Sequence, residues 1–367
     1  MFSEFETWED QVFWPAMVKQ YGTESGQTTG PSQSSVQTLN VEVSSVRSTR
    51  LRADVYEARV IDSKVLSAPD APEKRHIEIQ LPSDATYTTG DYLAVLPLNP
   101  EKTIQRIMRR FNLAWDSVLT IKEGAGTILP TGVPLSAHDL FGAYVELNQP
   151  ATKRNVSMLV DACKDEQTKT DLASLTGDSF AAEISNKRVS LLDLLDRYKS
   201  VELPLGSFIA SLPPMRTRSY SISSTPLWKP HNVTLTYGVL RQAHTSGTGE
   251  YIGVASNYLS NLAAGDTLHV SVRPSNQAFH LPTDSENVPM IMVCTGTGIA
   301  PFRGFVQERA AQVATGSRTL APALLFVGCR SPDADELYRA EFDKWEALGA
   351  VKVVRAYSKK PEATNGK

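Results

Sequence analysis

Arg218, Tyr220 and Ser221 stand in the stretch L-P-P-M-R-T-R-S-Y-S-I-S-S-T-P at 212–226, where a cation, a phenol and several hydroxyls crowd a short segment bounded by prolines. In an extended chain the side chains alternate between faces, so Arg218 and Tyr220 project together while Ser219 and Ser221 point the other way. A guanidinium forks onto phosphate oxygens and a phenol ring covers a flat heterocycle, so this face suits a ligand with both parts, such as a dinucleotide. The same residues also suit an ordinary surface strand with a half-buried tyrosine, and the rest of the chain has to separate the two readings.

Two further stretches carry phosphate chemistry. Gly253-Val254-Ala255-Ser256 leads into a short helical pattern. A helix start offers unpaired N–H groups and the positive end of a dipole, which suits a pyrophosphate. At 288–307 an apolar strand runs into Thr295-Gly296-Thr297-Gly298 and then into a helical pattern with Phe302, Phe305 and Val306. Strand, glycine-rich turn and helix form the unit that places a dinucleotide phosphate at the switch point of a parallel sheet. The spacing departs from G-x-G-x-x-G, so the usual nicotinamide fingerprint is absent. A second apolar strand at 323–328 ends in Cys329-Arg330-Ser331-Pro332, and a helix over 335–348 and a strand over 351–356 follow. This alternation predicts a doubly wound domain.

The elements that position these groups follow from pattern and composition. Strand-rich segments at 55–66, 76–81 and 92–96 predict the start of an antiparallel barrel. Between 100 and 211 the period turns helical, with Ser136 as a cap and Ser190 with Asp193 as a capping box, and the strand pattern resumes at Met215. The span 100–211 therefore reads as a helical insertion within a barrel formed by 51–99 and 212–284, followed by a second domain over 285–367. Residues 1–22 predict an amphipathic helix, and 23–50 reads as a linker, since 22–35 holds no Leu, Ile, Val, Phe or Trp. A helix set off in this way is either a free tail or the last helix of a preceding domain.

With 41% hydrophobic and 21% charged residues over 367 positions, the chain reads as an ordinary globular protein of two or three domains. A net charge of -3 gives no support for nucleic-acid binding. Cys163, Cys294 and Cys329 are widely spaced without a metal-ligand pattern, which points to no metal and to a reducing, cytoplasmic setting. No apolar run approaches a membrane span.

Taken together, R-S-Y-S at Arg218 to Ser221, G-V-A-S at Gly253 to Ser256, T-G-T-G-I-A-P-F from Thr295, and Gly328-Cys329-Arg330 with Leu337-Tyr338 resemble the ordered motifs of the diflavin reductase family. This is the cytochrome P-450 reductase group within the ferredoxin-NADP reductase superfamily. The wording F-I-A-S-L-P, S-I-S-S-T-P, A-S-N-Y-L and G-C-R-S-P is most similar to the reductase half of self-sufficient fatty-acid hydroxylases. The resemblance implies a multidomain protein: an antiparallel β-barrel FAD-binding domain with a helical insertion, then an incomplete doubly wound α/β NADPH-binding domain. It implies that Arg218 grips FAD phosphate, that Tyr220 lies against the flavin, that Ser221 sits near the hydride-accepting atom, and that Ser219, Thr236, Tyr237, Gly238, Gly253, Val254, Ala255 and Ser256 complete the site. Arg75, Thr297, Arg330, Ser358 and Lys359 match NADPH contacts.

Two departures are local. Ser358-Lys359 replaces the family's Ser-Arg, keeping the charge and losing the bidentate fork. Cys294-Thr295 replaces its Gly-Pro. The third is one of length: the family's last roughly 100 residues and its FMN domain have no counterpart beyond a first helix, W-E-D-Q-V-F-W-P-A, that resembles the end of that domain. The expected function is hydride transfer from NADPH to FAD, with electrons passing through the FMN domain to a fused or separate haem monooxygenase. The alternatives are a flavin-binding fragment without turnover, and the reductase half of a sulfite-reductase or nitric-oxide-synthase type enzyme.

Overall fold

Strands β1 (Tyr56–Val65), β2 (Lys74–Gln80) and β3 (Tyr92–Leu96) open the chain's main sheet. The computed structural model describes residues 8–21, 47, 51, 53–122, 128–243, 250–276, 278–316, 319–360 and 362. The predicted linker at 23–50 lies, apart from Arg47, outside the described residues. Two units divide the chain, 1–44 and 45–367. In the first, a π-helical turn Glu9–Phe13 precedes the helix Trp14–Tyr21, and the Phe13 ring lies tilted at 5.5 Å from Trp8 and edge-on at 5.1 Å from Trp14. Of the helix anticipated over 1–22, residues 1–7 and 22 lie outside the described residues, and the turn at 9–13 is wider than an α-helix.

The second unit continues with β4 (Val118–Thr120), β5 (Pro134–Ser136), β6 (Arg218–Ser221), β7 (Asn232–Gly238), β8 (Arg241–Ala243), β9 (Glu250–Ile252) and β10 (Thr267–Arg273). Six of these form an antiparallel sheet in the order β6-β3-β10-β1-β2-β7. The anticipated strands occupy their expected places. β10, which lies between β3 and β1, was not anticipated, although Leu268, Val270 and Val272 alternate as a half-buried strand does. The edge strands approach one another just past β6, where Ile222 bridges Leu235 and the Ser223 amide donates to the Thr234 carbonyl at 2.8 Å. Ile77, Ile79, Leu93, Val95, Leu235 and Val270 form the sheet's buried face.

Helices are the main elements of residues 100–211. Glu101–Arg110, Lys153–Asp161, Glu166–Ser174, Leu191–Arg197 and Leu205–Ser211 surround a core that includes Phe141, Leu159, Leu194 and Phe208. Ser136 caps as expected, accepting from the Asp139 amide, and Ser190 and Asp193 close a full capping box. Val145 bridges Pro214 and the Met215 amide donates to the Tyr144 carbonyl at 2.9 Å. This contact sets residue 146 of the insertion beside the 212–218 stretch.

The last strands, β11 (Met290–Thr295), β12 (Ala323–Cys329) and β13 (Lys352–Tyr357), form a parallel sheet in sequence order. The helices Ile299–Ala314 and Arg339–Ala347 both pack on one of its faces through Ile299, Phe305, Val306, Phe342 and Trp345. The second helix begins at Arg339, four residues later than the periodicity predicts, because 331–338 folds as a turn ending in Tyr338 at φ 59°. Among the described residues no helix is long and apolar enough to cross a membrane, and no cluster of His, Cys, Asp and Glu is placed to hold a metal.

Candidate functional site

Arg218 enters β6 half-buried, and its guanidinium forks onto Glu146, with Nη1 to Oε1 at 2.7 Å and Nη2 to Oε2 at 2.9 Å. The Glu146 side chain is 2% exposed and also accepts from the Arg216 amide at 3.1 Å. A charge-assisted, two-point contact of this kind fixes both the position and the plane of the guanidinium. Sequence reasoning missed Glu146. Its signal was a carboxylate between Val145 and Leu147, both buried.

Two residues further along the same face, the Tyr220 ring meets Tyr237 at 6.0 Å in a T-shaped contact, and burial pushes its phenol up to about 12. Tyr237 lies opposite Arg75 in the β2–β7 ladder. Among the described residues the buried Arg75 Nε has no hydrogen-bond partner, and the buried Tyr237 hydroxyl lies beside the Arg75 guanidinium. An orphaned polar atom of this kind, on a cation beside two aromatic rings, fits a flat polar ring system with attached phosphates. Ser219 is exposed, while Ser221 is half-buried and pairs with Tyr92 across the ladder. The hydroxyls that follow serve structure: Ser223 bonds Thr234 at 2.8 Å, Ser224 accepts from the Thr234 amide at 3.0 Å, and Thr225 donates to Glu308 at 2.9 Å.

Gly253 precedes the helix Val254–Ser260 as anticipated. A Cβ there would stand 2.8 Å from Ser256 Oγ and 2.9 Å from Leu240 Cβ, so glycine is required by close packing. The Ser256 hydroxyl is engaged in the turn itself, accepting from the Leu240 amide at 3.1 Å and donating to the Gly253 carbonyl at 3.3 Å. Val254 and Ala255 are buried in the first turn.

At the carboxyl ends of the parallel strands, Gly296, Gly328, Arg330, Asp335 and Ser358 are among the residues lining a cleft of about 440 Å³. This is the position that open α/β sheets use for ligands. Gly328 permits it: a Cβ would come within 2.9 Å of Thr295 Cγ2. Arg330, Ser358 and Lys359 are exposed, and the Lys359 amide donates to the Arg330 carbonyl at 2.9 Å. Thr297 sits in the 3₁₀ turn Gly296–Gly298. Burial pushes the Cys329 thiol up to about 11 and the Cys294 thiol up to about 12, so neither is a ready nucleophile.

The two sites meet along β2. Successive strand residues face opposite ways, and Lys74 and His76 turn toward the parallel-sheet domain while Arg75 lies between them on the other face, bonded to Glu73 at 2.9 Å. Lys74 Nζ bonds Asp335 at 2.8 Å and stands 3.6 Å from the Cβ position of Gly296. Burial raises the Asp335 carboxyl, but the Lys74 ammonium and the Arg330 and Ser331 amides outweigh it and hold the group below the usual carboxylate range. His76 Nδ1 and Thr236 Oγ1 both reach the Tyr338 hydroxyl, at 2.9 and 2.6 Å. Arg303 donates to the Ser223 carbonyl at 2.7 Å and to Glu341 at 2.8 Å. Lys74, Asp335 and Arg303 were not singled out from sequence, because what distinguishes them is a partner in another domain. Elsewhere, a cavity of about 820 Å³ opens beside Glu146 and Arg216 and is lined by none of the anticipated cofactor residues.

An antiparallel sheet joined to a parallel sheet with a cleft at its carboxyl edge is an arrangement that suits a protein with two dinucleotide-binding domains. The chain belongs to the FAD binding domain family, whose match covers residues 48–258, and residues 292–367 match the oxidoreductase NAD-binding domain. It is 55% identical over its whole length to a bifunctional cytochrome P450/NADPH–P450 reductase of Fusarium oxysporum, covering 34% of that protein. It is 49% identical, over 98% of its length, to the self-sufficient cytochrome P450 monooxygenase CYP505U2 of Exserohilum turcicum, covering 33% of it. A bifunctional cytochrome P450/NADPH–P450 reductase of Acremonium egyptiacum is 42% identical over the whole chain, which covers 34% of that protein. The chain thus spans about a third of the length of these relatives.

Proposed function

We propose that the chain is an NADPH-dependent FAD reductase module of the cytochrome P-450 reductase type, passing electrons toward a haem monooxygenase by way of an FMN domain. The observation that carries this reading is the apposition of the two sites along β2, where Lys74 and His76 hold the turn bordering the cleft while Arg75 and Tyr237 face the flavin side. FAD, when bound, supplies the hydride-accepting and one-electron chemistry. Arg218, held by Glu146, binds its phosphate, Tyr220 and Tyr237 bound the ring system, and Ser221 lies near the reacting edge as the catalytic hydroxyl. Ser219, Thr236, Gly238 and the Gly253 to Ser256 turn complete that site. Thr297, Arg330, Ser358 and Lys359 take the nucleotide phosphates at and beside the cleft. Arg75 reaches the nucleotide from the flavin side, and Lys74 joins the set.

The six-stranded sheet, bridged between its edges at Ile222 and Leu235, is read as a barrel formed by 51–99 and 212–284, with 100–211 inserted and 285–367 as the nucleotide domain. Residues 1–22 are read as the last helix of an FMN domain and 23–50 as the linker, in a cytoplasmic protein. The names of the relatives favour a haem monooxygenase over a sulfite-reductase or nitric-oxide-synthase partner. The test is to offer the purified chain equal FAD and FMN, separate the retained flavin by chromatography, and follow ferricyanide reduction with NADPH and with NADH. FAD alone is expected to be retained, with faster reduction by NADPH. Retained FMN, or equal rates with the two nucleotides, overturns the reading.

A further inference from the structure

Tyr338 adopts φ 59° and ψ 27°, a left-handed backbone that a bulky residue takes only where its surroundings over-determine it. Those surroundings belong largely to the other sheet. Its hydroxyl lies between His76 Nδ1 and Thr236 Oγ1, two residues that face one another in the β2–β7 ladder. The His76 ring meets the Tyr338 ring edge-on at 5.8 Å, and the Arg303 guanidinium lies 4.5 Å from the Tyr338 centroid. Arg303 is itself bonded to the Ser223 carbonyl and to Thr234 Oγ1 of the flavin sheet. Three residues before Tyr338, Asp335 accepts from the Arg330 amide at 2.7 Å while paired to Lys74. A shift of Tyr338 therefore displaces Arg330 and Asp335, two walls of the cleft.

We propose that Tyr338 is a positioning residue: its hydroxyl, shared between β2 and β7, fixes the turn at the nucleotide cleft against the flavin sheet and so sets the approach of the nicotinamide to the flavin. The inference rests on the reductase reading for its catalytic consequence but not for the clamp itself. A ring that merely fills space would be replaced by phenylalanine without effect. A ring that positions through its hydroxyl would not, because a small misplacement of reacting groups can cost about a hundredfold in rate.

The FAD-loaded chain is compared with Tyr338→Phe, His76→Leu, His76→Asn and the double variant Tyr338→Phe/His76→Leu. The readouts are NADP⁺ affinity by calorimetry, amide exchange across 330–338, and anaerobic bleaching of the flavin by NADPH. Tyr338→Phe and His76→Leu are each expected to keep NADP⁺ affinity within about twofold, to speed exchange across 330–338 and to slow bleaching about tenfold or more. The double variant should be no worse than Tyr338→Phe alone, since that substitution already removes the hydroxyl that His76 contacts. His76→Asn, which restores a polar atom near the Nδ1 position, should recover much of the loss. Unchanged exchange and bleaching in both single variants, or a double variant whose losses multiply, overturns the proposal. If Tyr338→Phe does not fold, the His76 pair decides it. A wild-type chain that NADPH does not bleach overturns the reductase reading instead, and exchange across 330–338 then decides the clamp alone.

Discussion

Glu146 changes what Arg218 means. From the chain alone Arg218 reads as a free cation awaiting phosphate, whereas in the fold it is half of a bidentate pair whose carboxylate is almost fully buried. Removing only the cation strands a buried charge, which costs about 1–3 kcal/mol or more. Arg218→Ala should therefore lower the melting temperature of the flavin-free chain as well as weaken FAD binding about ten- to a hundredfold. Glu146→Gln added to Arg218→Ala should recover the melting temperature without recovering FAD. Arg330→Ala, at an exposed position on the other site, should leave FAD retention nearly unchanged. Thermal unfolding with and without FAD checks all three, and equal FAD loss in the Arg218 and Arg330 variants would mean that the two sites are wrongly placed.

Strand β2 separates the work of its two faces, and its outward face is where protonation matters. Burial, with help from the Arg303 and Lys64 charges, lowers the His76 pKa from 6.5 to about 3, so the ring facing Tyr338 stays neutral in the folded chain. The unfolded chain binds that proton from about pH 6.5 downward, so the contribution is fully present above the unfolded pKa and is lost as pH falls toward the folded one. Between about pH 7 and about pH 5 this amounts to roughly 1–2 kcal/mol. His76→Asn, which cannot titrate, should show a shallower fall in melting temperature over that interval. Equal slopes would place the acid sensitivity elsewhere. The elements themselves were mostly legible: β3 coincides with its predicted span, and the Ser190 capping box lies where the sequence places it. β10 was overlooked despite its alternation. The helix at Arg339 starts late because a hydrogen-bonded turn takes up residues whose periodicity alone continues the helix.

At the scale of the molecule, among the described residues the parallel sheet is covered on one side only. Ile291 and Val293 on β11 are 73% and 68% exposed, with Phe326 beside them on β12, because both helices of this domain pack on the opposite face. Parallel sheets ordinarily have both faces covered, and a contiguous apolar patch favours association. The chain should bind a solvatochromic hydrophobic dye and self-associate. Ile291→Thr with Val293→Thr should reduce both while leaving FAD retention unchanged, measured by dye fluorescence and light scattering. Undiminished dye binding would mean that the exposed apolar surface lies elsewhere.

The sequence by itself determined most of the strands and helices and suggested the flavin and nucleotide motifs, because periodicity, capping residues and glycine turns are local signals read within a few residues. It also carried the resemblance, since Arg218 to Ser221, Gly253 to Ser256 and Thr295 to Phe302 are contiguous. Only the tertiary structure decided which side chains meet across domains: Glu146 with Arg218 over 72 residues, Lys74 with Asp335 over 261, and His76 with Tyr338 over 262. It likewise decided that Lys74 pairs with Asp335, a residue lining the cleft, while Arg75 pairs with Glu73. Adjacent strand residues point to opposite faces, and which face meets the second domain follows from packing that no local pattern encodes.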